Sequence, residues 1–117
     1  MRHQIRGNAL GRTQSERRAL MRGLAIGLIT HGKVRTTVAK AKALRPFIEP
    51  LVTRAKKDTL SNRRIIASRI PNPGVVKKLF ADYGPRYAAR SGGYTRVIKV
   101  SGFRRGDSAE VAEVRWV

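Results

Sequence analysis

The sequence predicts an α+β domain of two layers, in the order α-β-α-α-α-β-β, with the helices packed on one face of a small sheet. Two periodicities carry this expectation. From residue 13 to about residue 84, apolar side chains recur mostly at three- and four-residue steps, the spacing of helices that bury one side. From Tyr94 the period falls to two, the alternation of strands. A third observation limits the size: 117 residues with 41% hydrophobic content suit one modest core, and no linker is long enough to divide it. The expected organisation is a basic extended arm over residues 1–12 and a single globular domain over 13–117.

The arm, MRHQIRGNALGR, has no sustained periodicity and no acid. Thr13 to Glu16 then fits a capping box, which starts the first helix. That helix should run to about His31, with Gly32 as its left-handed stop. Leu20, Met21, Leu24 and Leu28 are its expected core residues, with Arg17, Arg18 and Arg22 on the other side. Gly23 and Gly27, one turn apart, should let another backbone approach closely.

Lys33 to Thr36 is a short, partly β-branched strand, and Thr37 can cap a second helix. Its apolar seam is Ala41, Leu44, Ile48, Leu51 and Ala55. Pro46 and Pro50 oppose a continuous helix, since an interior proline removes a backbone bond. The unbroken seam favours one bent helix over two. Residues 60–70 make a third helix ended by Pro71. Asn72 caps a fourth, with Pro73 in its first turn and Gly84-Pro85 as its terminator. Tyr94 to Val100 and Val111 to Val117 are the remaining strands, with Ala112, Val114 and Trp116 facing the helices.

Charge dominates the functional reading. Twenty-six Lys and Arg stand against seven Asp and Glu, a formal charge of +19. Solubility needs a magnitude of only about 2 to 8 in a small domain. A larger excess repels itself unless a polyanion neutralises it, and nucleic acid is the usual one. The charge is spread: basic groups outnumber acids in every quarter of the chain, with six against one in residues 1–30 and five against three in residues 91–117. Arg outnumbers Lys by 18 to 8, which favours forked phosphate contacts. A membrane-surface protein would gather its charge on one amphipathic helix, so no membrane partner is expected.

Catalysis needs titratable groups held together in a pocket. The chain offers His3 and His31, scattered acids and no cysteine. No phosphate-cradling glycine loop or metal-ligand spacing is present. The expectation is therefore a non-enzyme with no cofactor, no metal and no small-molecule substrate.

Residues 84–99, GPRYAARSGGYTRVIK, combine Arg86, Arg90, Arg96 and Lys99 with Tyr87, Tyr94 and the pair Gly92-Gly93. Arginine forks suit phosphates, glycines permit close backbone approach, and tyrosines can stack on unpaired bases. The alternative for Tyr87 and Tyr94 is partial burial before a strand. A second basic turn, Arg104 and Arg105, lies between the last two strands. Composition alone also fits a DNA-packaging protein, although no groove-reading helix or dimerisation pattern accompanies it.

Six segments, in order along the whole chain, carry a resemblance to a known family. They are Met1-Arg2-His3, TTVAKAKALRPFIEPLVTRAK over 36–56, Asn62-Arg63-Arg64, Lys78-Leu79-Phe80, the stretch 84–99 and Arg105-Gly106-Asp107. The chain resembles the bacterial-type large-subunit ribosomal protein L-seventeen family. Ala39 and Ala43 depart from the pattern, where Pro and Glu are the commoner residues, as do Gly11 and Glu16 in place of Asn and His.

The resemblance implies the same element order and a cytoplasmic place in the ribosome. It further implies contact with large-subunit (23S) rRNA and neighbouring ribosomal proteins, on the solvent side near the nascent-chain exit tunnel. It places Arg2, His3 and Arg6 in an rRNA-contacting arm. It sets Lys40, Lys42, Arg63, Arg64, Arg86, Arg90, Arg96 and Arg105 on RNA-facing surfaces. With Arg12, Arg17, Arg18, Arg22, Tyr87, Tyr94, Lys99 and Arg104 from the charge pattern, these form the candidate RNA-binding set.

Overall fold

The structure is a computed structural model, and it describes residues 13–103, 106 and 110–117. The expected arm and the basic turn at Arg104 and Arg105 lie outside these residues. The order is α1 (Gln14–His31), β1 (Lys33–Thr37), α2 (Val38–Ala55), α3 (Leu60–Arg69) and α4 (Pro73–Lys78). A π-helical turn, Leu79–Tyr83, and a short α5, Gly84–Arg86, follow before β2 (Thr95–Phe103) and β3 (Glu110–Trp116). The strands form one antiparallel sheet in the order β1-β3-β2.

Local chemistry sets the helix starts. Thr13, Thr37, Thr59 and Asn72 each sit extended before a helix and accept an orphan backbone N–H three residues on. Gly32 closes α1 at φ 84°, and its N–H returns to the Leu28 carbonyl at 2.9 Å. Thr37 both ends β1 and caps α2, so strand and helix join without a loop.

The α2 seam is buried as its spacing predicts, with Val52 beside it. Pro46 and Pro50 lie inside one continuous helix, four residues apart and both exposed. The bonds they remove would have ended on the carbonyls of Lys42 and Pro46, also exposed positions, where water can replace them. In α1 the deepest residues are Met21, Ala25, Leu28 and Ile29, while Leu20 and Leu24 pack at the core's margin. The buried stripe is therefore rotated from the one expected. Gly23 and Gly27 receive no backbone: a Cβ on Gly23 would meet nothing within 4 Å, and one on Gly27 only a Val34 methyl at 3.9 Å.

The helical path does not end at Gly84-Pro85. The wider π turn carries it through, with the Gly84 N–H bonded five residues back to Leu79. A Cβ on Gly84 would collide with the Ala55 carbonyl, so this glycine is set by close approach to the end of α2. Pro85 then occupies the first turn of α5, where its missing N–H costs little.

Helices cover one side of the sheet. Ala112, Val114 and Trp116 of the central strand enter the core, and the Trp116 indole donates to the Leu28 carbonyl at 3.1 Å. Tyr83 stacks on Trp116 at 4.2 Å between ring centroids and donates to the Ile29 carbonyl at 3.2 Å. The last strand is thereby tied to the end of α1.

Candidate nucleic-acid interface

Strand parity builds the first cationic surface. Because side chains alternate across a sheet, the neighbours of Ala112, Val114 and Trp116 point to the side without helices. The register aligns Lys33 and Arg96 with Arg115 on either side of it, and Arg35 and Ile98 with Glu113. The outer face thus carries two transverse rows, Lys33–Arg115–Arg96 and Arg35–Glu113–Ile98. All but Glu113 are exposed.

Glu113 is only 3% exposed, sealed by the arginines laid across it. Arg115 Nε donates to Oε2 at 2.7 Å, and the Arg115 Nη2 group bonds the same oxygen. Arg35 Nε reaches Oε1 at 3.4 Å. The Arg115 hydrogen bond holds the carboxyl below the usual carboxylate range against the effect of burial, with further help from the Arg115 charge, Arg35 and Lys33.

A groove of about 450 Å³ separates α2 from the edge strand β2, lined by Val38, Lys42, Arg45, Pro46, Val97 and Lys99. It unites Lys42 and Lys99 from the candidate set with Arg45, and no acid lines it. A third basic site joins Arg18 and Arg22 of α1 to Arg69 and Ser68 of α3 over the half-buried Phe47. Arg22 Nε donates there to the Arg69 carbonyl at 2.9 Å.

The stretch 84–99 needs a correction. Tyr94 is 1% exposed and Tyr87 4%, so neither ring is a platform for a base. Tyr87 lies 5.3 Å from Tyr94 and 6.0 Å from Trp116 between centroids, and its hydroxyl donates to Val117 O at 2.7 Å. Burial pushes the hydroxyls of Tyr83 and Tyr87 above the usual tyrosine range. The Tyr94 hydroxyl lies 3.1 Å from Thr53 Oγ1, with the Lys56 ammonium over its ring at 5.1 Å. An amphipathic ring can bury its body while its polar group finds a partner, and the three tyrosine hydroxyls and the Trp116 indole N–H do so together.

Glu49 of α2 fixes the end of this stretch, accepting from Tyr94 N at 3.1 Å, Thr95 N at 2.9 Å and Thr95 Oγ1 at 2.8 Å. The arginines remain outside: Arg86, Arg90 and Arg96 are exposed, though not gathered at one point. Arg86 lies beside Lys33, Arg115 and His31 in a shallow pocket at one end of the sheet.

The other candidates separate by engagement. Arg63 is held bidentately by Asp58, at 2.5 and 2.8 Å, with its guanidinium 4.7 Å from the Phe80 ring centroid. Its hydrogen bond holds Asp58 below the usual carboxylate range. Arg18, Lys42, Arg64 and Lys99 are exposed, while Arg17, Arg22 and Lys40 are partly covered. Arg2, His3, Arg6, Arg12, Arg104 and Arg105 fall outside the described residues. Sequence reasoning missed Lys33, Arg35, Arg45, Arg69 and Arg115. The signal for Arg115 was present, since it lies between the inward Val114 and Trp116, whereas Lys33 and Arg35 join it only through the strand register.

Among the described residues, no group of His, Asp and Glu is arranged to hold a metal, and no helix is long and apolar enough to cross a membrane. A family model described as Ribosomal protein L17 matches residues 20–117, leaving out the arm and the first turns of α1. With its expected fold, its basic surfaces and a match over most of its length, the chain belongs to the ribosomal protein L17 family and is a structural constituent of the large ribosomal subunit.

Proposed function

We propose that the protein binds and stabilises large-subunit (23S) rRNA, on the solvent side of the subunit near the nascent-chain exit tunnel, in the cytoplasm and without catalytic activity. The observation that carries this reading is how the acids are used. Glu49 is spent on the start of β2, Asp58 on Arg63 and Glu113 on two arginines, while Glu16 accepts from the Thr13 hydroxyl at 2.8 Å. The fold consumes much of its negative charge internally. Its exposed cations stay in excess of acids in the α2–β2 groove, beside α1 and α3, and on the outer sheet face, where only Glu113 answers Lys33, Arg35, Arg96 and Arg115. Such a molecule is suited to RNA on several sides, each phosphate contact releasing counterions.

In this reading Arg17, Arg18, Arg22, Lys40, Lys42, Arg64, Arg86, Arg90, Arg96 and Lys99 approach phosphates from the folded domain, 13–117. Arg2, His3, Arg6 and Arg12 do so from the arm, 1–12, and Arg104 and Arg105 from the turn between β2 and β3. Neighbouring large-subunit proteins complete its surroundings. Tyr87 and Tyr94 are interior supports with no part in stacking. Sedimentation in a high-salt gradient tests the proposal: the chain is expected with large subunits, and recovery with chromosomal DNA would sink it. Removing residues 1–12 should lower the salt slope of 23S rRNA binding and leave the helical circular-dichroism signal nearly unchanged.

A further inference from the structure

We propose that the outer face of the sheet is a phosphate-binding platform for structured RNA, with Glu113 as the positioning residue that aims Arg35 and Arg115. The inference rests on the rRNA-binding reading and deepens it, because no residue of this platform except Arg96 belongs to the set read from the sequence.

The register sets three cations in a row, Lys33, Arg115 and Arg96, on strands about 4.8 Å apart. Like charges directly opposite on a sheet are destabilising, so in the free protein this row is unfavourable. An anion lying across it removes that repulsion. Four cations against one carboxylate leave the face strongly positive, which fits a polyanion and opposes a second copy of the same face.

Glu113 gives the face order as well as charge balance. Both its oxygens are used, Oε1 by Arg35 and Oε2 by Arg115. A guanidinium carries five donors. Arg35 contributes only its Nε to the carboxylate, so both its terminal nitrogens remain for a ligand; its side chain is 65% exposed and that of Arg115 is 48% exposed. The Arg115 fork is thus oriented by two donors on Glu113, and the Arg35 fork is drawn toward it through Nε. Their outer edges face solvent, as bidentate phosphate binding needs. Ile98, 39% exposed in the row with Glu113, offers an apolar contact for a ribose or base beside the phosphates.

This role makes a prediction opposite in sign to simple electrostatics. Removing a negative charge from a cationic surface should tighten RNA binding. Removing an aiming carboxylate should weaken it. The experiment measures affinity of the full chain for deproteinised 23S rRNA across a salt series, comparing wild type with Glu113→Gln and with Asp82→Asn, which removes an exposed acid elsewhere.

Glu113→Gln is expected to bind about five- to tenfold more weakly, with a salt slope shallower by about one phosphate contact, while Asp82→Asn binds equally or slightly more tightly. Affinity of Glu113→Gln equal to or above wild type, with an unchanged slope, overturns the positioning role and leaves rRNA binding standing. Arg35→Lys guards against a folding defect, since it retains charge at an exposed position and loses the fork. It should weaken binding several-fold, and an unchanged affinity overturns the platform. A wild type that binds poly-glutamate as tightly as rRNA replaces the RNA with an acidic protein partner. One that shows no preference for 23S rRNA over duplex DNA of equal length overturns both readings together.

Discussion

The two faces of the sheet are made from alternate residues of the same strands, yet they do opposite work. On the inner face Ala112, Val114 and Trp116 are closed off by helices, and Trp116 is fixed by a stacked tyrosine and a bond to α1. On the outer face Arg115 stands exposed beside Lys33 and Arg96, with Glu113 as the acid of the next row, between Arg35 and Ile98. Burial of apolar and aromatic area drives folding on one side. Charge that opposes compaction is kept on the other. The contrast teaches that the burial that stabilises the fold and the exposed charge are segregated within a single strand, one residue apart.

Four changes sharpen or break that separation. The largest effect should come from Trp116→Ala, which empties the inner face and costs about 3–5 kcal/mol of stability in urea unfolding. Its rRNA salt slope, measured where the variant is still folded, should match wild type. A changed slope at full folding would break the division between faces.

Next is Glu49→Gln, where a neutral amide replaces the carboxylate that receives three donors at the start of β2. Hydrogen bonds to a charged acceptor are worth about 1.5–3 kcal/mol, and a loss in that range is expected in the same unfolding assay. Protection of the Tyr94 and Thr95 amides from hydrogen exchange should fall with it.

Arg96→Ala tests the outer face. Its unfolding free energy should stay within about 0.5 kcal/mol of wild type. Its rRNA salt slope should drop by about one. Loss of stability without loss of slope would assign Arg96 to the fold.

The smallest effect is a dependence on pH. The Arg115 hydrogen bond depresses the Glu113 carboxyl, and the Arg63 hydrogen bond depresses that of Asp58. A depressed folded value stabilises above the unfolded value, about 4.3 for Glu, and this contribution is lost as pH falls through the folded value. Thermal unfolding of Glu113→Gln should therefore lose less stability than wild type below about pH 4.3 and run parallel to it above about pH 6. A parallel course throughout would mean that the carboxylate contributes nothing to the folded state.

Much of the fold was legible because it is local. Thr13, Thr37 and Asn72 announce helix starts through short-range hydrogen bonds, and the α2 seam follows from spacing alone. The two prolines there are tolerated because their lost bonds face water. The π turn was not legible, because Gly84 reads as a stop unless the nearby Ala55 carbonyl is known. Tyr87 and Tyr94 misled for a different reason: a tyrosine next to arginines has the same composition whether its ring is buried or free. The tertiary partners Trp116, Thr53 and Lys56 decide between the two. The outer sheet face required knowing that residues about 80 apart, Arg35 and Glu113, align across strands. Charge counts could locate cations along the chain but not the rows they form.

Chemical modification of lysine and arginine in the assembled large subunit, compared with the free chain, tests the central claim most directly. Lys33, Arg35, Arg96 and Arg115 are expected to be protected in the subunit and to become reactive after ribonuclease digestion. Equal reactivity of all four in the subunit and in the free chain would contradict the account.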